Sequence, residues 1–256
     1  MTGTAPAGPA QTGTALAGQT VVIIGGSAGM GLETARQARA EGAAVILTGR
    51  DPRHLDRAAA DVGALRTAAF DATDWAALDR FFGELSQDPG QIDHVMVTGP
   101  GPYYAKLADL DHARAIEDYD NHQWLAIAVA QHAVGRVRDG GTLLFMASTG
   151  GRSRAPGLSL MAAASAALPA LIANLAVEVA PVRVNLIAAG FVDTPLSARL
   201  LGDDLDKRRE QLRETLPIRR VIEPADIAAL AVHIMVNTAL TGATYDIDGG
   251  EQLVSA

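Results

Sequence analysis

The chain has 256 residues, 48% of them hydrophobic and 20% charged, which is ample apolar material for one sizeable core and too little for two full domains. A formal net charge of -8 and a pI near 5.2 argue against nucleic acid or an anionic membrane as partner, because no broad face would offset phosphate charge; the one basic cluster, Lys207-Arg208-Arg209, sits among acids. Cysteine is absent and the six histidines at 54, 94, 112, 122, 132 and 233 show no ligand spacing, so disulfides and thiolate chemistry are excluded and no metal is expected.

The opening stretch is rich in Thr, Ala, Gly and Pro but lacks the basic start and apolar run of a signal peptide or anchor, and residues 1–17 are expected to form a disordered tail. From Thr20 onward, short β-branched or aliphatic runs alternate with segments of helical period. In chain order the pattern predicts a strand at Thr20–Ile24, a helix at Gly29–Glu41, a strand at Ala44–Thr48, a helix at Pro52–Asp61, a strand at Arg66–Phe70 and a helix at Asp74–Gln87. It continues with a strand at His94–Thr98, a long helix at Asp109–Arg138, a strand at Thr142–Ala147, a helix at Leu158–Ala180 and a strand at Val182–Ile187. A broken helical region over Leu196–Leu216, a helix at Pro224–Val236 and a strand at Thr244–Asp248 complete the series.

This alternation predicts an α/β fold of Rossmann type, a doubly wound sheet of seven parallel strands flanked by helices, forming a single domain over residues 18–256. Pro169 removes a backbone donor inside the fifth helix and is expected to kink it. The most apolar stretch, Ala166–Val192, is interrupted by Asn174, Glu178, Arg183 and Asn185, which argues against a membrane span and for a soluble, cytoplasmic protein. The stretch from Gly202 reads as a mobile insertion over the top of the sheet, within a substrate lid at about 194–217.

The sharpest motif is Gly25-Gly26-Ser27-Ala28-Gly29-Met30-Gly31, which follows the first apolar strand directly and opens a helix. Gly25, Gly29 and Gly31 let the backbone turn tightly and bring a pyrophosphate to the helix N-terminus, where unpaired N–H groups favour an anion. The second strand ends Leu47-Thr48-Gly49-Arg50, with no acid to accept from ribose hydroxyls. Arg50 instead offers a planar fork suited to a 2'-phosphate, so NADP(H) is favoured over NAD(H). Asp71 either accepts from an adenine amino group or caps the helix that starts at Asp74.

From Gly18 to the C-terminus these motifs resemble the short-chain dehydrogenase/reductase family. The Gly-x-x-x-Gly-x-Gly spacing is that family's, and Phe70-Asp71-Ala72-Thr73 resembles its adenine motif. Val97-Thr98-Gly99-Pro100-Gly101 stands where the family has Asn-Asn-Ala-Gly, and Ala189-Gly190-Phe191-Val192-Asp193-Thr194 is similar to its Pro-Gly nicotinamide segment. Thr241-Gly242-Ala243-Thr244 through Asp248-Gly249-Gly250 matches its C-terminal signature. The resemblance implies that Ser27, Met30, Ala72, Gly99, Gly190, Val192 and Thr194 join Gly25, Gly29, Gly31, Arg50 and Asp71 around the cofactor.

The same resemblance implies catalysis by Asn, Ser, Tyr and Lys, and the carry-over is incomplete. Ser148 matches the carbonyl-polarising serine, but the tyrosine position thirteen residues on is Met161 and the lysine position is Ser165. No Tyr-x-x-x-Lys exists in the chain, whose two lysines are Lys106 and Lys207. His122 falls near the family's asparagine and is either a proton shuttle or a histidine packed on a long helix. Tyr103, Tyr104 and Lys106 follow the fourth strand and either rebuild a tyrosine-lysine pair or form a plain pocket wall. Arg152 and Arg154 are either anion binders or ordinary loop arginines.

The expectation is an NADP(H)-dependent oxidoreductase of this family, acting on a small carbonyl or alcohol compound with Ser148, Tyr104 and His122 as candidate catalytic residues. The alternative is a redox-inactive member serving as a nucleotide sensor, scaffold subunit or non-redox enzyme. The Ala-rich runs Ala126–Ala130 and Met161–Ala164 allow close helix approach and point to a homo-oligomer, a dimer or tetramer.

Overall fold

Consecutive side chains of a strand point to opposite faces of a sheet, and here both faces are buried, which is why the strands read as unbroken apolar runs. In the computed structural model, which describes residues 14–254 apart from 86, 88–90, 100 and 153, strands and helices alternate as far as β6, after which three helices precede the last strand. They are β1 (Thr20–Ile24), α1 (Gly29–Ala40), β2 (Ala44–Gly49), α2 (Pro52–Val62), β3 (Arg66–Ala69), α3 (Trp75–Leu85), β4 (Ile92–Val97), α4 (His112–Ala133) and β5 (Val137–Ser148). After these come α5 (Ser159–Glu178), β6 (Arg183–Ala189), α6 (Pro195–Leu201), α7 (Leu205–Thr215), α8 (Pro224–Val236), β7 (Thr244–Ile247) and a short α9 (Glu251–Val254).

The seven strands form one sheet in the order β3-β2-β1-β4-β5-β6-β7, all parallel. Strand order reverses between β1 and β4, and the crevice beyond the carboxyl ends of those strands is where such sheets take ligands. On one face Val22, Val95, Leu143 and Leu186 pack against Leu78, Phe82, Val129 and Ile172 of α3, α4 and α5. On the other, Val21, Ile23, Leu47, Leu144 and Ile187 meet Ala35, Ala38, Leu55, Ile227 and Ala231 of α1, α2 and α8. Helix α5 is long and apolar enough by composition to cross a membrane. Met161, Ala164, Leu168, Ile172 and Leu175 nevertheless give it a buried face, and the helix runs on through Pro169.

Two expectations are corrected. The domain begins before Gly18: Leu16 is fully buried and its N–H donates to the Glu41 carbonyl at 2.9 Å, so only residues 1–13 of the expected tail lie outside the described residues. The fourth helix ends at Ala133 rather than near Arg138, because Gly135 adopts φ +72° and Val137 already pairs with Ile92 in β5. The broken helical region expected over Leu196–Leu216 is α6, a single 3-10 turn at Gly202–Asp204 and α7. Arg209 of that helix grips Asp193 with two bonds of 2.8 Å.

The amino edge of the sheet is closed by buried polar groups. Asp93 accepts from the Thr20 N–H at 2.7 Å and is paired with Arg138. His94 Nε2 meets Gln19 Oε1 at 2.6 Å, and burial, reinforced by the Arg138 and Arg183 charges, depresses the ring's pKa to about 3. Arg183 is 5% exposed and donates to the carbonyls of Gly140, Ile234, Met235, Asn237 and Leu240, tying β6 to the carboxyl end of α8.

Candidate active site

The glycine turn leaves β1 and enters α1 under tight constraint. Gly25 sits at φ +88°, where a side chain is strained, and a Cβ there would run into the Thr98 hydroxyl. A Cβ on Gly31 would collide with the Gly25 carbonyl, so the helix packs this close to the turn only with glycine. The N-cap of α1 is Ala28, with no side-chain cap and no acid in the first turn. Its leading N–H groups are thus left for an anion from outside the chain.

At the end of β2, Arg50 is 77% exposed, with Nη1 3.9 Å from Asp71 Oδ2. A Cβ on Gly49 would lie 2.9 Å from Ser27 Oγ, so Ser27 of the turn reaches the end of this strand. Asp71 does not cap α3: its Oδ1 accepts from the Thr73 N–H at 3.0 Å and the Thr73 hydroxyl at 2.8 Å. Asp74 takes the cap instead, accepting from the Ala77 N–H at 3.1 Å. Ala72 adjoins this turn, and Gly99 follows β4 at φ +76°. These groups fit a dinucleotide, with an uncapped helix for its pyrophosphate and an unburied guanidinium beside the expected ribose.

A cavity of about 750 Å³ opens beside this turn, at the carboxyl ends of β5 and β6. It brings together Met30, Tyr104, Ser148, Gly190, Val192 and Thr194, with Leu158, Phe191, Leu196 and Leu200 as apolar walls. Thr194 is the N-cap of α6 in a reciprocal box with Ser197, which fixes how this wall starts. Ser148 Oγ accepts from the Gly150 N–H at 3.0 Å and keeps its own proton free to donate. A second groove, of about 800 Å³, lies at the opposite edge of the sheet around Gln91, Arg136 and Pro181, far from the glycine turn.

His122 does not line the cavity. Its Nδ1 hydrogen-bonds the Asp118 carbonyl at 2.7 Å and lies 3.7 Å from the Asp118 carboxylate, behind the wall. Lys106 is exposed and outside the cavity, so the loop supplies a tyrosine there without a lysine. Arg152 is committed to Asp246 and Gln252, and Arg154 is exposed on its loop. Met161 is 6% exposed and meets Ser148 over Gly150, where a Cβ would lie 2.6 Å from Met161 Cε and 2.9 Å from Ser148 Oγ. Ser165 donates to the Met161 sulfur at 3.3 Å and borders a small void of about 170 Å³ with Ser148 and Arg152.

Sequence reading missed Asp118, Arg114 and Arg208. Burial pushes the Asp118 carboxyl up, opposed by His122 and by the bond it accepts from the Tyr103 N–H. Its Oδ2 is buried without a hydrogen-bond partner among the described residues. Burial, and then the Asp118 charge, raise the Tyr104 hydroxyl, so Tyr104 stays protonated through neutral pH. The only advance signal was the helical spacing of Arg114, Asp118 and His122, which stack on one face of α4.

Residues 25–252 match the family model described as enoyl-(acyl carrier protein) reductase. The chain is 31% identical over 247 residues to the uncharacterized oxidoreductase MT0954 of Mycobacterium tuberculosis, covering 91% of each chain. It is 26% identical over 258 residues to the NADP-dependent (R)-specific alcohol dehydrogenase of Lentilactobacillus kefiri, covering 92% of this chain and 97% of the other. A crystal structure of a small-chain dehydrogenase in complex with NADPH superposes with a TM-score of 0.77 at 27% identity, over 92% of this chain and 99% of that one. The chain belongs to the short-chain dehydrogenase/reductase family, a family of NAD(P)-dependent oxidoreductases.

Proposed function

We propose that the protein is an NADP(H)-dependent oxidoreductase of small carbonyl or alcohol compounds in which Tyr104, rather than the residue at 161, exchanges the proton. The observation that carries this reading is the single cavity whose lining includes Ser148, Tyr104, Gly190, Val192 and Thr194. Bound nicotinamide supplies or accepts the hydride. Ser148 donates to the carbonyl oxygen, and Tyr104 gives its proton to that oxygen as negative charge develops there. Tyr104 is exposed on its outer side, and the tyrosinate regains its proton from water. Arg50 takes the 2'-phosphate, the uncapped start of α1 takes the pyrophosphate with Ser27 beside it, and Asp71 with Ala72 borders the adenine.

Met161 beside Ser148 favours a second reading, in which the fold binds the nucleotide without redox turnover. Loss of NADPH absorbance on mixing with a panel of aldehydes and ketones supports the first. Tight NADPH binding with no absorbance change across the panel supports the second. We further propose that the chain assembles as a closed homo-oligomer through α4 and α5, on which Ile116, Trp124 and Val177 remain exposed, and acts in the cytoplasm. A monomer in light scattering at micromolar concentration would sink the assembly.

A further inference from the structure

The chain carries 29 acidic against 21 basic side chains, yet among the described residues the charged ones lining the active-site cavity are two arginines, Arg114 and Arg208. They are not equivalent. Arg208 donates to Glu251 Oε1 at 2.5 Å and to Gln211 at 3.0 Å, so a carboxylate of the chain already neutralises it. Arg114 has no carboxylate of a described residue within 4.0 Å. Its guanidinium carbon instead rests 4.1 Å from the centroid of the Tyr103 ring. That ring is buried and anchored, its hydroxyl accepting from the Asp111 N–H at 3.2 Å. A guanidinium seated on a fixed ring has lost much of its freedom and presents its N–H edge to whatever enters.

We infer that the substrate is a monoanionic carboxylate with an apolar body, a keto acid or hydroxy acid, and that Arg114 holds its carboxylate while the carbonyl reaches Ser148 and Tyr104. This rests on the oxidoreductase reading and names its substrate class. Charge decides for a monoanion: Arg208 and Glu251 cancel, leaving one positive charge on the lining, which a phosphate dianion would leave half satisfied. The apolar walls, Leu158, Phe191, Leu196 and Leu200, suit the rest of such a molecule. Asp118, one turn along α4, feels the Arg114 charge but accepts from the Tyr103 N–H and faces His122, and it forms no ion pair with the arginine.

The test is calorimetry on the full chain saturated with NADP+, with benzoylformate and its uncharged methyl ester as probes. The expected result is that the acid binds at least about tenfold tighter than the ester, and that Arg114→Gln abolishes this difference without changing NADPH affinity or ester binding. Arg114→Lys, which keeps the charge and loses the fork, is expected to recover only part of it. Equal binding of acid and ester, no binding of the acid, or a fall in NADPH affinity in Arg114→Gln that matches the fall for the acid would each overturn the inference. Failure of hydride transfer with acid-selective binding intact would strike the oxidoreductase reading alone.

Discussion

At the amino edge of the sheet the charged side chains Asp93, Arg138 and Arg183 are committed to partners within the chain, although His94 Nδ1, Arg136 Nε and Thr142 Oγ1 are buried there without a hydrogen-bond partner among the described residues, whereas at the carboxyl edge several charged groups are left open. Arg183 is saturated by five carbonyls, and Asp93 holds both the Thr20 N–H and Arg138. Across the sheet, α1 begins without a side-chain cap, Asp118 Oδ2 is unpartnered, Arg114 rests on an aromatic ring and Arg50 projects outward. The division teaches that charge is committed within the chain at one end of the sheet and left available at the other.

The first way to break this comparison is Arg183→Met, which strips the donor from those carbonyls. Stability is expected to fall on the order of 4 kcal/mol in urea unfolding, with NADPH affinity unchanged wherever the protein remains folded. A loss below about 1 kcal/mol would remove the amino edge as the stabilising end. Next is His94, whose neutral form the fold favours. The unfolded chain protonates near pH 6.5 and the folded ring only near 3, so its contribution is complete above pH 6.5 and is lost progressively as pH falls towards 3. The slope is about 1.4 kcal/mol per pH unit within that window. His94→Gln is expected to flatten the pH dependence of unfolding between pH 6 and about 4, whatever it does to stability at pH 7. An unchanged slope would show that the ring titrates normally.

On the open edge, Tyr104→Phe is expected to lower turnover by about two to three orders of magnitude while leaving NADPH binding within a factor of about two. Turnover that survives the change would assign the proton elsewhere. Arg50→Ala is expected to weaken NADPH binding by about tenfold and to leave NADH binding alone, as followed by fluorescence titration. Tighter binding of NADH than of NADPH by the unaltered protein would overturn the cofactor preference.

The two edges also differ in what the sequence discloses. The glycine turn is readable because its geometry is a backbone demand: only glycine accepts the φ of residue 25 or the approach of residue 31 to the Gly25 carbonyl. The strands are readable because burial on both faces leaves apolar runs. The cavity wall is not, since nothing in the spacing of Arg114, Asp118 and His122 tells which side of α4 faces the pocket or that Tyr103 slides beneath Arg114. Leu16 was hidden by the low-complexity tail before it, whereas the break at Gly202-Asp203-Asp204 inside the helical region was readable from its run of breakers and forms a tight 3-10 turn leading into α7.

The smallest expected change comes from grafting the family pair, Met161→Tyr with Ser165→Lys. The resemblance places the lysine against the nicotinamide ribose, and a charge-assisted contact of that kind is typically worth about 1.5–3 kcal/mol. Two local costs oppose it. The void beside Ser165, about 170 Å³, is walled by Ala147, Ala166, Pro169 and Leu186 and also borders Arg152, so an ammonium entering it loses water and meets a like charge. Met161 already presses its Cε over Gly150 beside Ser148, and a rigid ring in that space overpacks it at roughly 1–3 kcal/mol. The net gain in NADPH affinity is therefore expected to be measurable but no more than about tenfold by calorimetry. Turnover of generic ketones is expected to change little, because neither substitution brings a substrate within reach of the new hydroxyl. Unchanged or weaker NADPH binding would mean that residues 161 and 165 do not face the cofactor. A brisk gain in turnover would mean that the proton belongs at position 161 after all, and that Tyr104 is a wall of the cavity rather than its acid.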